Sequence, residues 1–300
     1  MSIKKIFITG ATGYIGGAVA DYLLKKNYEI TALVRNAESA AKLDALGIKT
    51  VLGSLQDRPL LQAEALKSDA VIHTADADDT YPVAAFLEAL KGTGKTFIHT
   101  SGSSLVADDA RGQKSDFIYS EDFPLTPVFQ KAERVVLNQT IQRAAKDNVR
   151  SIVIVPTMIY GEGTGIKKDS IQVPMLMALA KERKVGLHVE AGKNIWSNVH
   201  IQDLAELYWL ALEKAPAGSY YYAENGEASL EDVATSISRK LGFGGKTESL
   251  PLEEAVRLWQ FDAAAFGLAS NSRVNADKAR RMLGWQPKYH SITDNIEQGG

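Results

Sequence analysis

Three glycines near the start of the chain have the spacing of a phosphate-binding turn. Gly10, Gly13 and Gly16 lie in the stretch FITGATGYIGG at residues 7–17. Glycine weakens helices and strands, so this cluster indicates a backbone that turns tightly or approaches a ligand closely. The N-terminus of a helix offers unpaired N–H groups and a partial positive charge, which suit a phosphate. The spacing therefore predicts a nucleotide phosphate here, provided that a strand precedes the turn and a helix follows it.

The elements on either side of the turn have the required order. Residues 3–9 predict a strand buried on both faces, because Ile6, Phe7 and Ile8 are consecutive and apolar. Residues 14–26 predict a helix with a single apolar stripe and lysines in its last turn. Strand, glycine turn and helix in this order are typical of dinucleotide-binding folds.

The same alternation of strands and helices continues to residue 156. The predicted strands are residues 28–34, 49–52, 70–74, 96–100 and 151–155, and the predicted helices between them are residues 37–46, 58–67, 81–91 and 128–147. Short strands that alternate with helices favour a parallel sheet covered on both faces, with right-handed crossovers. The sequence therefore predicts an α/β protein with a doubly wound, parallel-sheet Rossmann fold.

The pattern changes after Pro156, which indicates a second part of the chain. We predict a dinucleotide-binding Rossmann domain at residues 1–158 and a smaller, mostly helical C-terminal substrate lobe at residues 159–300. A segment at about residues 191–222 is expected to return to the first domain. Because no linker separates the two parts, the cleft between them is the expected ligand site.

Composition and charge limit the possible functions. The net charge of −2 provides no basic field for nucleic acid, and no apolar run approaches the length of a membrane span. Cysteine is absent and the start of the chain has no signal-peptide pattern, so we expect a cytoplasmic protein. His73, His188 and His290 show no metal-ligand spacing, so no metal site is predicted. We expect a monomer or a homodimer.

Seven motifs, in order, resemble the extended short-chain dehydrogenase/reductase superfamily of the epimerase and dehydratase type. They are TGATGYIGG (9–17), AVIHTA (70–75), FIHTSGSS (97–104), KAERVVL (131–137), VPTMIYGEG (155–163), NVHIQDLA (198–205) and KARRMLGWQP (278–287). The chain also resembles the atypical branch of that superfamily, which includes the NmrA-like regulators. The resemblance implies a Rossmann fold and a nicotinamide dinucleotide that carries a hydride.

The resemblance also indicates where the catalytic residues should lie. Such enzymes commonly use a Ser or Thr after the fifth strand and a Tyr-x-x-x-Lys on the next helix, in which the Tyr passes a proton. Lys131 matches the Lys, but Pro127 stands in the place of the Tyr and has no side-chain proton to give. Ser101 and Ser103 flank the position of the catalytic Ser, and each is a candidate. Tyr160, close to the cofactor by resemblance, is a further candidate hydroxyl.

The end of the second strand decides between NAD and NADP. An acidic residue there binds the ribose hydroxyls of NAD, whereas an Arg accommodates the 2′-phosphate of NADP. Residues 31–36 read TALVRN, and the planar fork of Arg35 suits a phosphate. We therefore predict NADP(H). The other residues predicted to bind it are Gly10, Thr12, Gly13, Tyr14, Ile15, Gly16, Asn36, Ser54, Leu55, Thr74, Ala75, Lys131, Pro156 and Ile159.

The sequence leaves two functions open. One is an NADP(H)-dependent oxidoreductase that acts on a small carbonyl-type substrate and lacks the usual catalytic Tyr. The alternative is a non-catalytic NADP(H)-binding protein with a redox-sensing or regulatory role. Arg35 and Lys131 support both, and Pro127 favours the second. The intact segments PTMIYGEG (156–163) and NVHIQDLA (198–205) indicate a small-molecule substrate in the cleft and favour the first.

Overall fold

The structure, a computed structural model, describes residues 3–299. Its strands are β1 (Lys5–Thr9), β2 (Glu29–Val34), β3 (Lys49–Leu52), β4 (Ala70–His73), β5 (Thr96–Thr100), β6 (Arg150–Pro156), β7 (Met158–Tyr160), β8 (Gly186–Val189), β9 (Ile195–His200), β10 (Ser219–Ala223), β11 (Glu227–Ser229) and β12 (Thr247–Leu250). Its α-helices are α1 (Tyr14–Lys25), α2 (Ala37–Asp44), α3 (Arg58–Lys67), α4 (Thr80–Leu90), α5 (Ala132–Arg143), α6 (Gln172–Arg183), α7 (Ile201–Lys214), α8 (Leu230–Lys240), α9 (Leu252–Phe261), α10 (Asp277–Leu283) and α11 (Ile292–Gln298). A π-helix, Asp262–Leu268, follows α9, and short 3₁₀ helices span Ser103–Val106, Phe129–Lys131 and Ala144–Asp147.

Within residues 3–299, seven parallel strands form the main sheet in the order β10-β6-β5-β4-β1-β2-β3. In β1, Ile6 pairs with Ile30 of β2 on one side and with Ala70 of β4 on the other. The chain therefore winds outward in both directions from β1, and the carboxyl ends of β1 and β4 form the switch point where ligands bind in such sheets. The predicted doubly wound Rossmann fold is confirmed, whereas the edge strand β10 was not predicted.

Both faces of this sheet are covered, because successive residues of a strand point to opposite sides. Ile6 and Ile8 pack into the apolar cluster beneath α1 and α7. Phe7 points the other way and packs with Phe86 of α4 and Leu137 of α5. Burying a side chain of this size stabilises the fold by about 1.5–3 kcal/mol, so the consecutive apolar residues of each strand explain why the sheet is enclosed.

The C-terminal half contains two small sheets beside its helices. One has the order β11-β9-β7, and the other pairs β12 with β8. The sequence predicts a mostly helical lobe and misses these sheets, because their strands are short and local periodicity is weak over so few residues. Strand β10 lies in the main sheet beside β6, and α7 packs on α1. The division at residue 158 stays a prediction. Among the described residues, no helix combines the length and apolar character required to cross a membrane.

Helix α7 begins at Ile201, and its cap is His200 and not Asp203, with Nδ1 of His200 accepting from the N–H of Gln202. The carboxylate of Asp203 instead accepts hydrogen bonds from the N–H groups of Lys288 and Tyr289 at 2.9–3.0 Å. These bonds fix the C-terminal segment to the start of α7.

Hydrogen bonds hold the long segment between β5 and α5, residues 105–124, against residues 269–275. Asp108 accepts from the N–H of Asn271 at 2.8 Å, and the N–H of Tyr119 donates to the carbonyl of Arg273 at 2.9 Å. The partners lie more than 150 residues away along the chain, so no local sequence pattern could reveal them.

Candidate functional site

A cleft of about 440 Å³ opens at the carboxyl ends of the central strands. The turn before α1, the segments after β4, β5 and β6, and the side chain of Arg134 on α5 line one side. The start of α6, Trp196 of β9 and the π-helix line the other side. Of the residues predicted for the site, those lining the cleft are Gly13, Tyr14, Ile15, Gly16, Thr74, Ser101, Ser103, Pro156 and Ile159.

The glycines of the turn are required for different structural reasons. Gly10 adopts φ +86°, a conformation that favours glycine. A Cβ at Gly16 would lie 2.3 Å from the carbonyl oxygen of Gly10 and 2.4 Å from Oγ1 of Thr74, so a larger residue does not fit. A Cβ at Gly13 would meet only the carbonyl of Gly10, at 3.1 Å. Gly10 and Gly16 thus shape the turn, while Gly13 leaves open space in the cleft.

This open space fits a phosphate group. Gly13 is the N-cap of α1, and among the described residues no side chain caps that helix. The first turn of α1 also has no acidic residue within the described chain. The N–H groups of Tyr14 and Ile15 at the helix start are therefore available to an anion that also gains from the helix dipole. The residues present fit a dinucleotide pyrophosphate at this position.

Neighbouring residues border the same turn. Thr74 donates its hydroxyl proton to the carbonyl of Thr9 at 2.8 Å and lines the cleft. The N–H of Ala75 approaches Gly10 so closely that a Cβ there would lie 2.8 Å from it. Thr12 is partly buried within the turn. All three therefore lie close to the space where the dinucleotide is expected.

The residues predicted to surround the adenosine end lie outside the lining of this cleft, at the carboxyl ends of β2 and β3. Arg35 is exposed and has no ion-pair partner within residues 3–299. Asn36 caps α2, with its side-chain oxygen accepting from the N–H of Ser39 at 2.8 Å. Ser54 accepts from the N–H of Gln56, and Leu55 packs on the core. Arg35 is therefore the cation of this group that could meet a phosphate.

The start of α5 departs from the single helix predicted over residues 128–147. Phe129–Lys131 forms a 3₁₀ turn, and Lys131 is the N-cap of α5 with φ −110° and ψ 0°. The side chain of Lys131 is buried and its Nζ lies 2.5 Å from Oδ1 of Asp262, on the π-helix. The same ammonium lies 5.5 Å from the ring centre of Phe266. The expected catalytic lysine is thus held by the C-terminal half of the chain.

The two candidate serines lie at the end of β5 and are both buried. Oγ of Ser101 accepts a hydrogen bond from Nδ2 of Asn138 at 2.9 Å. The hydroxyl of Ser272 lies within hydrogen-bond distance of both Oγ and the backbone carbonyl of Ser103, at 2.8 and 2.9 Å, and has one proton for the two. Asn138 donates to Ser101, so the hydroxyl proton of Ser101 remains available to a ligand in the cleft.

Tyr160 is not brought together with these groups. Ile159 and Tyr160 are consecutive in β7, so their side chains point to opposite faces. Ile159 lines the cleft, whereas Tyr160 lines a separate cavity of about 750 Å³ and packs against His200 with ring centres 5.2 Å apart. Burial raises the pKa of Tyr160 well above its ordinary value. The placement argues against Tyr160 as the proton donor.

Sequence reasoning missed two charged residues of the cleft. Asp262 gives no local signal, because its partner Lys131 lies far away in the sequence. Arg134 follows Lys131 by three residues, a spacing that brings side chains together at a helix surface. Its guanidinium binds Asp78 through two contacts of 2.5 and 2.7 Å and donates to Oγ of Ser104 at 2.7 Å. The hydrogen bonds from Arg134 hold the pKa of Asp78 below its usual range.

Two buried histidines lie in the sheet just before cleft residues, His73 before Thr74 and His99 two residues before Ser101. His73 ends β4 and His99 lies in β5, with ring centres 5.6 Å apart. Burial lowers the pKa of His73 to about 4 and that of His99 to about 3, so both are neutral at pH 7. Neither supplies a proton at neutral pH. Within residues 3–299, no group of three or more His, Asp or Glu side chains is arranged to hold a metal ion.

The sheet order and the uncapped glycine turn define a dinucleotide-binding protein of the Rossmann type. Comparison with known proteins gives the family. The model of the NAD dependent epimerase/dehydratase family matches residues 6–222, and the chain belongs to this family, within the extended short-chain dehydrogenase/reductase superfamily. No finding distinguishes the NmrA-like branch, which stays a prediction.

Individual relatives match over nearly the whole length. An oxidase from Acremonium is 32% identical, with 98% of this chain and 96% of the relative covered. A 4-hydroxy-2-methyl-3-oxo-4-farnesyl-3,4-dihydroquinoline-1-oxide ketoreductase from Stigmatella aurantiaca is 26% identical, with 99% and 96% covered. The crystal structure of UDP-glucose 4-epimerase from Thermotoga maritima, with UDP-glucose, is similar in fold, with a TM-score of 0.77 at 16% identity and 98% and 96% of the chains covered.

Proposed function

We propose that this protein is an NADP(H)-dependent oxidoreductase that acts on a small carbonyl compound without the Tyr of its superfamily. One observation carries the proposal: a single cleft contains the open start of α1, the buried hydroxyls of Ser101 and Ser103, and the carboxylate that binds Lys131. Relatives named as an oxidase and a ketoreductase support a redox reaction.

Each part of the cofactor has a proposed binding group. The helix start at Gly13–Ile15 binds the pyrophosphate, Thr74 and Ala75 lie against the adenine-side ribose, and Lys131 binds the nicotinamide ribose. Pro156 and Ile159 line the nicotinamide. Arg35 binds the 2′-phosphate and gives the preference for NADP(H). When bound, the cofactor supplies or accepts a hydride.

The residues of the chain must then supply the proton that the substrate oxygen takes up. Ser101 has a hydroxyl proton free to bind the substrate oxygen and orient it, and Ser103 lines the cleft close by. A serine hydroxyl is a weak acid, so the proton comes from water held by these hydroxyls and the Lys131–Asp262 pair. Loss of general acid catalysis costs roughly 10²–10⁴-fold. We therefore expect slow reduction of ordinary ketones and better turnover of activated carbonyls or conjugated alkenes, which need less acid assistance.

The proposal is tested by measuring NADPH oxidation with a panel of carbonyl compounds, together with calorimetric titration of NADPH and NADH. We expect tighter binding of NADPH and turnover of at least the activated compounds. Binding without any turnover would favour the second candidate, a redox-sensing or regulatory protein. The proline at residue 127 supports this candidate, because it stands where the superfamily has its catalytic Tyr. Failure to bind either dinucleotide would overturn both.

The same proposal includes the compartment, the oligomeric state and the kind of partner. A chain without cysteine suits the reducing cytoplasm, where disulfides contribute little to stability. We propose a monomer or a homodimer, which size-exclusion chromatography with light scattering distinguishes. The proposed partner is a small molecule and not a nucleic acid, because the formal net charge is −2.

A further inference from the structure

We infer that the substrate is an uncharged carbonyl compound with an apolar or aromatic body, rather than a carboxylic acid or a nucleotide diphosphate sugar. This inference rests on the proposed function, because it concerns the same cleft. Two observations support it. The charges around the cleft are paired, and apolar side chains line the lobe side of the cleft, which is formed by the start of α6, Trp196 and the π-helix.

Two cations beside the cleft, one buried and one largely buried, are already paired. Nζ of Lys131 binds Asp262 at 2.5 Å, and its side chain is 5% exposed. Arg134 makes two contacts with Asp78, and its side chain is 12% exposed. An anionic ligand would have to displace a carboxylate from either cation and would be repelled by that carboxylate. Neither cation is therefore available to bind a phosphate or carboxylate group.

Lys167 lines the cleft as well and lies exposed to water. It has no ion-pair partner in the part of the chain that the structure describes. A solvated ammonium on a flexible side chain attracts an anion only weakly, and salt screens the attraction further. Lys167 therefore does not replace a buried, oriented anion-binding group.

The lobe side of the cleft is apolar where the substrate body would lie. Met175, Leu268 and Trp196 line it, together with Ile171, whose side chain is 64% exposed. The indole N–H of Trp196 donates to the carbonyl of Ser270 at 2.9 Å, so the ring offers the cleft only apolar surface. An apolar ligand that covers these side chains gains binding free energy in proportion to the apolar area that it removes from water.

The polar groups opposite suit a single small acceptor. Ser101 is a neutral donor directly after β5 that suits one carbonyl oxygen, and Ser103 lines the same cleft. The epimerase of Thermotoga maritima has the same fold and was solved with UDP-glucose, whose diphosphate carries negative charge. In this chain, the described residues offer that charge no unpaired buried cation within the cleft.

The test compares two ketones that differ in charge, methyl 4-acetylphenylacetate and 4-acetylphenylacetate. Both present the same acetyl group, and a methylene separates the ester or carboxylate from the ring, so the reactivity of the two ketones is closely matched. We expect kcat/KM with NADPH to be at least about tenfold higher for the ester, because the carboxylate would be desolvated without a partner. Equal values, or a preference for the carboxylate, would overturn the inference.

A matched pair of variants locates the discrimination in the cleft. Met175→Arg adds an unpaired guanidinium to the apolar wall and is expected to reduce the ratio of ester to carboxylate by about tenfold. Met177→Arg makes the same change on the same helix, but Met177 lines a different cavity, so the ratio should not change. Should Met175→Arg fail to fold, Gln172→Arg places a cation on the same lining. A folded Met175→Arg or Gln172→Arg protein with the wild-type ratio would contradict the inference.

Binding measurements separate this inference from the proposed function. Both probes and UDP-glucose are titrated calorimetrically into protein saturated with NADP⁺, where no turnover is required. Tighter binding of the ester without any reduction would support the substrate class and overturn the reductase proposal. Tighter binding of UDP-glucose or of the carboxylate, or no binding of the ester, would overturn the substrate class, while NADPH-dependent turnover would still uphold the reductase.

Discussion

The glycine turn and the start of α5 border the same cleft but are built differently. In the turn, backbone geometry determines the residues, since Gly16 has no room for a Cβ beside the carbonyl of Gly10. At the start of α5, side chains determine the site, and Lys131 depends on Asp262 from the far end of the chain. The proposed pyrophosphate site thus rests on local backbone constraints, whereas the proposed site of proton transfer rests on a contact between distant side chains. Pro127, at the position where the superfamily resemblance predicts a Tyr, lies just before this second region.

Both regions depend on the fold of the central sheet, and acid should destabilise that sheet through its two buried histidines. The ordinary pKa of histidine is 6.5, and burial lowers the pKa of His73 to about 4 and that of His99 to about 3. The unfolded chain takes up protons as the pH falls through 6.5, but the native chain does not. The stability from these neutral histidines is complete above pH 6.5 and is lost as the pH falls towards 4.

We expect the free energy of unfolding to fall by about 3 kcal/mol between pH 7 and pH 5. Urea unfolding at the two pH values measures this loss. His290→Gln, which changes an exposed histidine, should show the same loss as the wild type. A free energy that does not change with pH would show that the histidines are not held neutral by burial.

Substitutions of two glycines in the turn should have different effects, one on NADPH binding and the other on folding. Gly13→Val is expected to weaken NADPH binding by more than about 10²-fold with the circular dichroism spectrum retained, because the added side chain enters the space for the phosphates. Gly16→Val should instead destabilise the fold, because its Cβ meets backbone at 2.3 Å. Undiminished NADPH binding by folded Gly13→Val protein would refute the assigned pyrophosphate site.

Substitutions at the start of α5 should lower turnover more than they lower the stability of the fold. Lys131→Met is expected to lower kcat by about 30-fold, since it removes the cation that helps to hold the proton source. Asp262→Asn should give a smaller loss, because an amide oxygen can still accept from Lys131. Pre-steady-state reduction under saturating NADPH measures both, with the exposed Lys146→Met as a control. Full activity of Lys131→Met would show that the catalytic groups lie elsewhere.

The smallest change is expected at the adenosine end. Arg35→Ala should weaken NADPH binding by about tenfold and leave NADH binding unchanged, because only NADPH carries the 2′-phosphate. Calorimetric titration of both dinucleotides gives the ratio, and Arg257→Ala changes another exposed arginine as a control. Equal affinity of the wild type for NADPH and NADH would remove the assignment of Arg35.

Much of the fold could be predicted because its signals are local. The strand at residues 49–52 and the helix at residues 58–67 have the predicted bounds, and consecutive apolar residues identify the buried strands. Strand β10 was missed, although three consecutive tyrosines, at residues 220–222, are typical of a strand. Its position in the sheet depends on pairing with β6, which no local pattern specifies.

The site could be predicted only in part, for the same reason. The glycine turn and the serines after β5 follow from motif and element order, and the structure places them on one cleft. The alternation along β7, which separates Ile159 from Tyr160, was available in the sequence but was outweighed by the motif around Tyr160. The contacts of Lys131 with Asp262 and of Arg134 with Asp78 join distant segments, so they required the structure.

The late position of β10 has a consequence for synthesis of the chain. β6 ends at Pro156, but its outer neighbour begins only at Ser219. At about 5–20 residues per second, a nascent chain displays the unpaired edge of β6 for about 3–12 seconds. Such an edge, apolar from Ile152 to Pro156, is a template for pairing with another chain. The ribosome-bound protein therefore passes through an interval of aggregation risk that ends when β10 emerges, and we expect chains truncated before residue 219 to aggregate.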